Sequence, residues 1–157
     1  MDEDRRLRVL LIDDDSSMRE IVSCLLVSFG YHCQTAADGV TGLARFDDGG
    51  WNLVLTDLSM PGMNGWAVAD AIRRRSPTMP IVLLTGMTSP EVLRHAGERG
   101  LPVVSKPFRA EALRAAVANA LQASAPTPAT GSDRDIETVA NDWTSRSGGQ
   151  HFSWRPR

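Results

Sequence analysis

The sequence predicts an α/β protein built on a doubly wound, five-stranded parallel sheet. Five short apolar runs alternate with five segments of helical periodicity, which is typical of a parallel sheet with helices on both faces. The apolar runs lack the alternation of half-exposed strands, as expected for strands buried on both sides. We expect the strand order 2-1-3-4-5, which makes the first and third strands neighbours where the order reverses.

The first two strand–helix units are predicted from residues 7 to 48. Residues 7–12 form an apolar run that ends at three consecutive aspartates. Ser17 and Glu20 have the spacing of a capping box, so a helix is expected from there to Gly30. A second strand is expected at residues 31–36 and a helix capped by Asp38 after it. Gly42 inside that helix lowers its stability by about 1 kcal/mol relative to Ala.

The other strands are predicted at residues 53–56, 81–84 and 103–104. Asn64 is the expected cap of a helix that runs to about residue 74. Ser89 followed by Pro90 is a favourable helix start, and that helix should end before Gly100. The last helix is expected at residues 110–121. From residue 124 the sequence has no sustained apolar period, which predicts a domain at 1–123 and a flexible, disordered tail at 124–157.

Composition excludes several classes of function. The formal net charge of -2 provides no basic field for nucleic acid, and the tail is too poor in apolar residues for a DNA-binding domain. Cys24 and Cys33 form no CxxC pair, which favours reduced thiols. No apolar run approaches the roughly 18 residues of a membrane span, and the acidic start at residues 1–4 is unlike a secretion signal. We expect a cytoplasmic protein.

Polar side chains follow four of the predicted strands at the point where each strand ends. Asp13 and Asp14 follow the first strand, Asp57 the third, Thr85 the fourth and Lys106 the fifth. Because the carboxyl ends of parallel strands meet at one edge of a sheet, these groups should lie together.

Three adjacent carboxylates raise one another's pKa unless a cation relieves the repulsion. Mg²⁺ suits such a site, because it binds few protein oxygens and is readily completed by phosphate. Lys106 offers a compact charge for a phosphoryl oxygen, and Thr85 offers a hydroxyl donor. Asp57, alone on its strand, is the expected nucleophile of an in-line phosphoryl transfer, with Asp13 and Asp14 holding the metal.

With these residues assembled, the chain resembles the receiver domain of two-component response regulators over about residues 7–122. The motifs that carry the resemblance are Leu11-Ile12-Asp13-Asp14-Asp15, Asp57-Leu58-Ser59-Met60-Pro61-Gly62-Met63-Asn64-Gly65, Thr85, and Lys106-Pro107-Phe108. The resemblance implies a flavodoxin-like, three-layer fold and a phosphoacceptor signalling domain rather than an enzyme. It suggests a stand-alone receiver, similar to the chemotaxis-type regulators, that signals by protein contact or passes its phosphoryl group on. A receiver cut from a larger kinase is the alternative.

The resemblance also implies a role for each residue of the motifs. Asp57 would take a phosphoryl group from a phosphohistidine on a sensor kinase or a phosphotransfer protein. Asp14 and Asp57 would bind Mg²⁺ directly, and Asp13 and the backbone carbonyl of Ser59 would complete its surroundings. Lys106 would contact the phosphoryl group.

Further expectations concern switching. Thr85 would move inward to hydrogen-bond the phosphoryl group, and the peptide bond before Pro107 would be cis. Val103 stands at a switch position where the family often has Tyr or Phe, so aromatic coupling to Thr85 is not expected. Ser59 and Met87 occupy positions that tune self-dephosphorylation, which leaves the lifetime of the phosphorylated form open. When Asp57 is phosphorylated, the face made by the fourth helix, fifth strand and fifth helix would change its binding partners.

Two other functions compete with this one. Asp13 and Asp15 with Ser17 also resemble the motif of haloacid-dehalogenase phosphatases, in which the first Asp is the nucleophile and the second the general acid. That reading leaves the Asp57 loop unexplained and lacks a further acidic ligand after Lys106. The other alternative is an interaction module that binds its partner regardless of phosphorylation.

Overall fold

Strands and helices alternate without exception along residues 5–123, the part of the chain that the computed structural model describes. The elements are β1 (Arg8–Ile12), α1 (Ser16–Ser28), β2 (His32–Ala36), α2 (Gly39–Asp47), β3 (Leu53–Asp57), α3 (Gly65–Arg75), β4 (Ile81–Thr85), α4 (Pro90–Glu98), β5 (Val103–Ser105) and α5 (Ala110–Ala123). The tail predicted at 124–157 lies outside the described residues. None of the helices within residues 5–123 is both long and apolar enough to cross a membrane.

The five strands form one parallel sheet in the order β2-β1-β3-β4-β5, which confirms the predicted fold class and topology. The strands end level with one another: Ile12 is opposite Thr56, and Thr85 is opposite Ser105. Asp57 and Thr85 belong to their strands rather than to the loops, so β3 and β4 are each one residue longer than predicted. Both polar residues are therefore fixed by the sheet.

The core is divided by the sheet into two apolar clusters, because successive side chains of a strand point to opposite faces. One face packs against α2, α3 and α4 and includes Leu10, Ile12, Val54 and Leu83. The other face packs against α1 and α5 and includes Val9, Leu11, Leu55 and Leu84. All eight of these strand side chains are fully buried, which accounts for the continuous apolar runs in the sequence.

Helix starts are set by side-chain caps, and three of the four predicted caps are confirmed. Asp38, Asn64 and Ser89 each accept a hydrogen bond from the backbone N–H three residues on. The predicted capping box at Ser17 is wrong. Asp15 has extended backbone geometry and accepts from the Met18 N–H at 3.1 Å, so Ser17 already lies inside α1.

Gly42 lies inside α2 because the helix packs directly on β1. A Cβ atom at this position would lie 2.4 Å from Cδ1 of Ile12 and 2.7 Å from its Cγ1. Ile12 is fully buried and has little freedom to move away. The glycine therefore offsets its poor helix propensity by allowing close contact between the helix and the strand that leads to Asp13.

Candidate functional site

The carboxyl ends of β1 and β3 bring three aspartates together. One carboxylate oxygen from each of Asp13, Asp14 and Asp57 lies within 4.8 Å of the others. Asp13 and Asp57 are buried, whereas Asp14 is exposed. The site is thus a shallow acidic cluster with one side open to solvent.

Asp13 is held by hydrogen bonds on every side. Its N–H donates to the Ala36 carbonyl at 3.1 Å, and its carbonyl oxygen accepts from Nη1 of Arg19 at 2.7 Å. Its Oδ1 accepts from the Asp15 N–H and its Oδ2 from Nζ of Lys106, both at 2.9 Å. A fully buried carboxylate needs such partners, and here they fix its orientation.

Asp57 is the last residue of β3, and its side chain retains 11% of its solvent exposure. This differs from the position just after the strand that the sequence suggested. Its Oδ1 accepts from the Ser59 N–H at 3.3 Å, and its Oδ2 lies 3.4 Å from Nζ of Lys106. Burial raises the pKa of Asp57 above its ordinary value; the charge of Lys106 opposes the shift and that of Asp13 adds to it.

Lys106, the chain's one lysine, follows β5 and places its ammonium between Asp13 and Asp57. Its side chain is 18% exposed. Burial disfavours the charged form, but the hydrogen bond to Asp13 and the charges of both aspartates outweigh it, so the pKa of Lys106 lies above its ordinary value. The ammonium therefore neutralises part of the acidic cluster.

Thr85 and Lys106 are joined through the backbone: the Lys106 N–H donates to the Thr85 carbonyl at 2.9 Å. The Thr85 side chain is buried, and its Oγ1 accepts from the Met87 N–H at 2.9 Å. The Lys106–Pro107 peptide bond is cis. Thr85 is thus anchored at the same edge of the sheet as the acids.

The side chains of Val103 and Ser59 lie outside this polar cluster. Val103 is the first residue of β5, paired with Leu83 two positions before the strand ends, and it packs against the α2–α3–α4 cluster. The Ser59 side chain is exposed, and its backbone N–H is the group that contacts Asp57. The structure therefore brings together the aspartates, Lys106 and Thr85, but not Val103.

Two residues that support the site were missed from the sequence. A Cβ atom on Gly65 would lie 2.4 Å from the Asp57 carbonyl oxygen and 2.7 Å from Cα of Leu58, so only glycine allows α3 to begin there. A glycine directly after the helix cap Asn64 is the signal for this close approach. Arg19 contacts a backbone carbonyl, and no residue spacing encodes such a contact.

The donor set fits a small, hard divalent cation. Carboxylate oxygens are the ligands that Mg²⁺ prefers, and Mg²⁺ usually takes only one or two of them and keeps several waters. Both oxygens of Asp13 are engaged by protein donors, whereas the exposed carboxylate of Asp14 is accessible. Asp14 is therefore the most accessible candidate for a direct ligand, followed by Asp57, whose contacts with Ser59 and Lys106 are longer at 3.3 and 3.4 Å.

Comparison with known sequences decides the family. Residues 9–118 match the response regulator receiver domain. The chain belongs to this family. Receiver domains are phosphoacceptor signalling domains of two-component systems, and the fold and acidic cluster described above are those expected of a member.

The relatives of this chain differ widely in length, so the matched domain covers very different shares of each. Chemotaxis protein CheY-3 of Vibrio cholerae is 33% identical over 114 residues, which cover 70% of this chain and 88% of CheY-3. Sensor histidine kinase RcsC of Salmonella typhi is 32% identical over 118 residues, which cover 74% of this chain but only 12% of RcsC. The solved structure of Vibrio cholerae chemotaxis protein CheY4 is 34% identical, with a TM-score of 0.69, and the match covers 73% of this chain and 98% of CheY4.

Proposed function

We propose that Asp57 accepts a phosphoryl group, in a reaction that requires Mg²⁺, from a phosphohistidine on a sensor kinase or histidine phosphotransfer protein. The observation that carries this proposal is the placement of one ammonium, Lys106, between Asp13 and Asp57, beside the open carboxylate of Asp14. Such an arrangement neutralises charge around one partly accessible carboxylate. It is suited to an incoming phosphoryl group, which carries about two negative charges.

In the proposed reaction, a carboxylate oxygen of Asp57 attacks phosphorus while the phosphorus–nitrogen bond of phosphohistidine breaks and the imidazole leaves. Asp57 is partly desolvated by the end of β3, so little water has to be displaced from it. Mg²⁺ held by Asp14 and Asp57, with Asp13 and the Ser59 carbonyl around it, would neutralise charge on the transferring group. The protein contributes chiefly position and charge.

Lys106 and Thr85 are the proposed contacts of the phosphoryl group. The ammonium of Lys106 already lies 3.4 Å from Oδ2 of Asp57, so a short movement would bring it to a phosphoryl oxygen. The Thr85 hydroxyl accepts from the Met87 N–H, which leaves its own proton free to donate. Movement of Thr85 toward Asp57 would then pull on the loop between β4 and α4.

The proposed output is a changed partner-binding face on α4, β5 and α5. Met87, in the loop before α4, and Leu93 on α4 are exposed apolar residues that a partner can bury. The end of α4 is tied to α3, because Arg99 makes two 3.2 Å hydrogen bonds to the Asp70 carboxylate. Phosphorylation should therefore move the start of α4 more than its end. Val103 supplies no aromatic ring to this movement.

We also propose that residues 1–123 are the functional receiver unit and that it acts in the cytoplasm through protein contacts, without DNA or membrane. The phosphatase alternative needs Asp13 as its nucleophile, and it is disfavoured because Asp13 is fully buried and both of its carboxylate oxygens accept hydrogen bonds. The remaining alternative is an interaction module that binds its partner whether or not it is phosphorylated. Only an experiment distinguishes it from our proposal.

Intact-mass measurement tests the assignment. Wild type, Asp57→Ala and Asp47→Ala, a control at an exposed acid on α2, are incubated with a small acyl phosphate and Mg²⁺. Wild type and the control should gain the mass of one phosphoryl group and lose the gain in EDTA, whereas Asp57→Ala should gain nothing. Labelling of Asp57→Ala would refute the site, and continuous turnover of phosphoesters would support a phosphatase instead.

A further inference from the structure

The guanidinium of Arg19 reaches from the first turn of α1 back to the turn that carries the acidic residues. Its Nη1 donates to the carbonyl oxygen of Asp13 at 2.7 Å. A hydrogen bond from a charged donor at this distance is among the stronger ones in proteins. Arg19 is half-buried, so the contact is partly shielded from water.

The accepting oxygen belongs to the peptide unit that joins Asp13 to Asp14. Because a peptide unit is planar, fixing its oxygen fixes the plane from which the Asp14 backbone starts. The other end of Asp13 is fixed by its N–H bond to Ala36. Within residues 5–123, no hydrogen bond to the Asp14 carboxylate is found, so the direction of that side chain depends on its backbone.

We propose that Arg19 is a positioning residue that holds Asp14 in place as a metal ligand, an inference that rests on the function proposed above. The guanidinium does not touch the metal; it acts through the Asp13–Asp14 peptide. Its charge alone has the opposite effect, because a cation near the acidic cluster repels Mg²⁺. Removal of Arg19 therefore weakens Mg²⁺ binding if positioning dominates and strengthens it if charge dominates.

The test is Mg²⁺ titration by calorimetry of the unphosphorylated protein, comparing wild type with Arg19→Met. The control is Arg94→Met, which removes the same charge from an exposed position on α4. Loss of a group that orients a metal ligand typically weakens affinity by about tenfold or more, so we expect roughly that loss for Arg19→Met and none for Arg94→Met. Arg19→Lys, which keeps a donor, should restore part of the affinity.

A second readout separates positioning from general damage. The Mg²⁺ concentration needed for half the maximal rate of Asp57 phosphorylation should rise in Arg19→Met, while the rate at saturating Mg²⁺ should stay near that of wild type. Thermal unfolding in EDTA verifies that the variant is folded. If Arg19→Met is unfolded at the working temperature, Arg19→Gln replaces it with the same expected loss.

The outcomes distinguish the two proposals. Equal or tighter Mg²⁺ binding by Arg19→Met overturns the role of Arg19, even if wild type is phosphorylated on Asp57. If Arg19→Met binds Mg²⁺ more weakly than wild type but wild type is not phosphorylated on Asp57, the role of Arg19 is supported and the proposed function is refuted. If wild type binds no Mg²⁺, the metal site and the role of Arg19 both fail.

Discussion

Lys106 donates a 2.9 Å hydrogen bond to Asp13 and thereby places a cation of the protein where a metal would otherwise balance the charge. Asp13 is fully buried, and its partner is only 18% exposed, so the pair is shielded from solvent. The ammonium and a divalent ion would therefore neutralise the same negative charge. This relationship leads to predictions for both stability and metal binding.

Replacing Lys106 by Met should destabilise the metal-free protein and tighten its binding of Mg²⁺. Loss of one partner from a buried ion pair typically costs about 3–5 kcal/mol because the other charge is left uncompensated. Mg²⁺ can supply the missing charge, so it should stabilise the variant more than wild type. Thermal unfolding in EDTA and across a Mg²⁺ series measures both effects. Equal stabilisation of the two proteins by Mg²⁺ would show that Lys106 does not compete with the metal.

Asp57→Asn should stabilise the metal-free protein near neutral pH. Burial raises the pKa of Asp57 in the native state, opposed by Lys106 and reinforced by Asp13. The native state then binds a proton more readily than the unfolded chain, so this group's contribution to stability falls as pH rises from its unfolded pKa through its folded pKa. The midpoint of unfolding of Asp57→Asn in EDTA should exceed that of wild type at about pH 7 and approach it near the ordinary carboxyl pKa of about 4.

The contrary result would be a midpoint for Asp57→Asn that lies at or below that of wild type at every pH. In that case, attraction to Lys106 would outweigh the cost of burying the carboxylate. Adding Mg²⁺ should reverse the ranking of the two proteins, because wild type keeps a ligand that the amide replaces poorly.

Gly65→Ala should impair phosphorylation as well as stability. The added Cβ would lie 2.4 Å from the Asp57 carbonyl oxygen, and a backbone atom cannot rotate out of the way. Overpacking typically costs about 1–3 kcal/mol, and a displacement of the nucleophile by about 1 Å can lower the rate up to a hundredfold. The control is Gly86→Ala, where no atom lies within 4 Å of the added Cβ. Matched unfolding midpoints and labelling rates for the two variants would contradict the steric argument.

Gly42→Ala should destabilise the protein although alanine is the better helix former. The added Cβ would lie 2.4 Å from Cδ1 of Ile12 in the buried core. An overpacking cost in the upper part of the usual range of about 1–3 kcal/mol, as expected for a contact this close, exceeds the gain of about 1 kcal/mol in helix propensity. Gly97→Ala, in open space on α4, should show that gain alone. Denaturant unfolding measures both, and a stabilised Gly42→Ala protein would mean that α2 can move away from β1.

The fold and the composition of the acidic edge were predictable because both follow from periodic and positional patterns. Continuous apolar runs indicated strands buried on both faces, and the polar residue after each run marked the same edge of the sheet. Asp13, Asp57 and Lys106 could be placed together on that basis alone, since the register of parallel strands aligns their ends.

Contacts that depend on three-dimensional fit were not predictable from these patterns. The capping-box spacing predicts Ser17 as the α1 cap, but Asp15 caps the helix because the turn after β1 is shorter than that spacing implies. The role of Gly65 follows from the close approach of α3 to Asp57, which apolar periodicity does not indicate. Arg19 reaches a backbone oxygen, and every residue type offers that oxygen equally.

The ammonium between Asp13 and Asp57 belongs to the one lysine among 157 residues, and all the other basic side chains counted with it are arginines. Amine-directed reagents therefore have two targets, this side chain and the α-amino group. A raised pKa and shielding by the aspartates make the side chain a slow nucleophile. Its acylation rate, measured by peptide mass mapping, would report how tightly the acidic edge is closed in each signalling state.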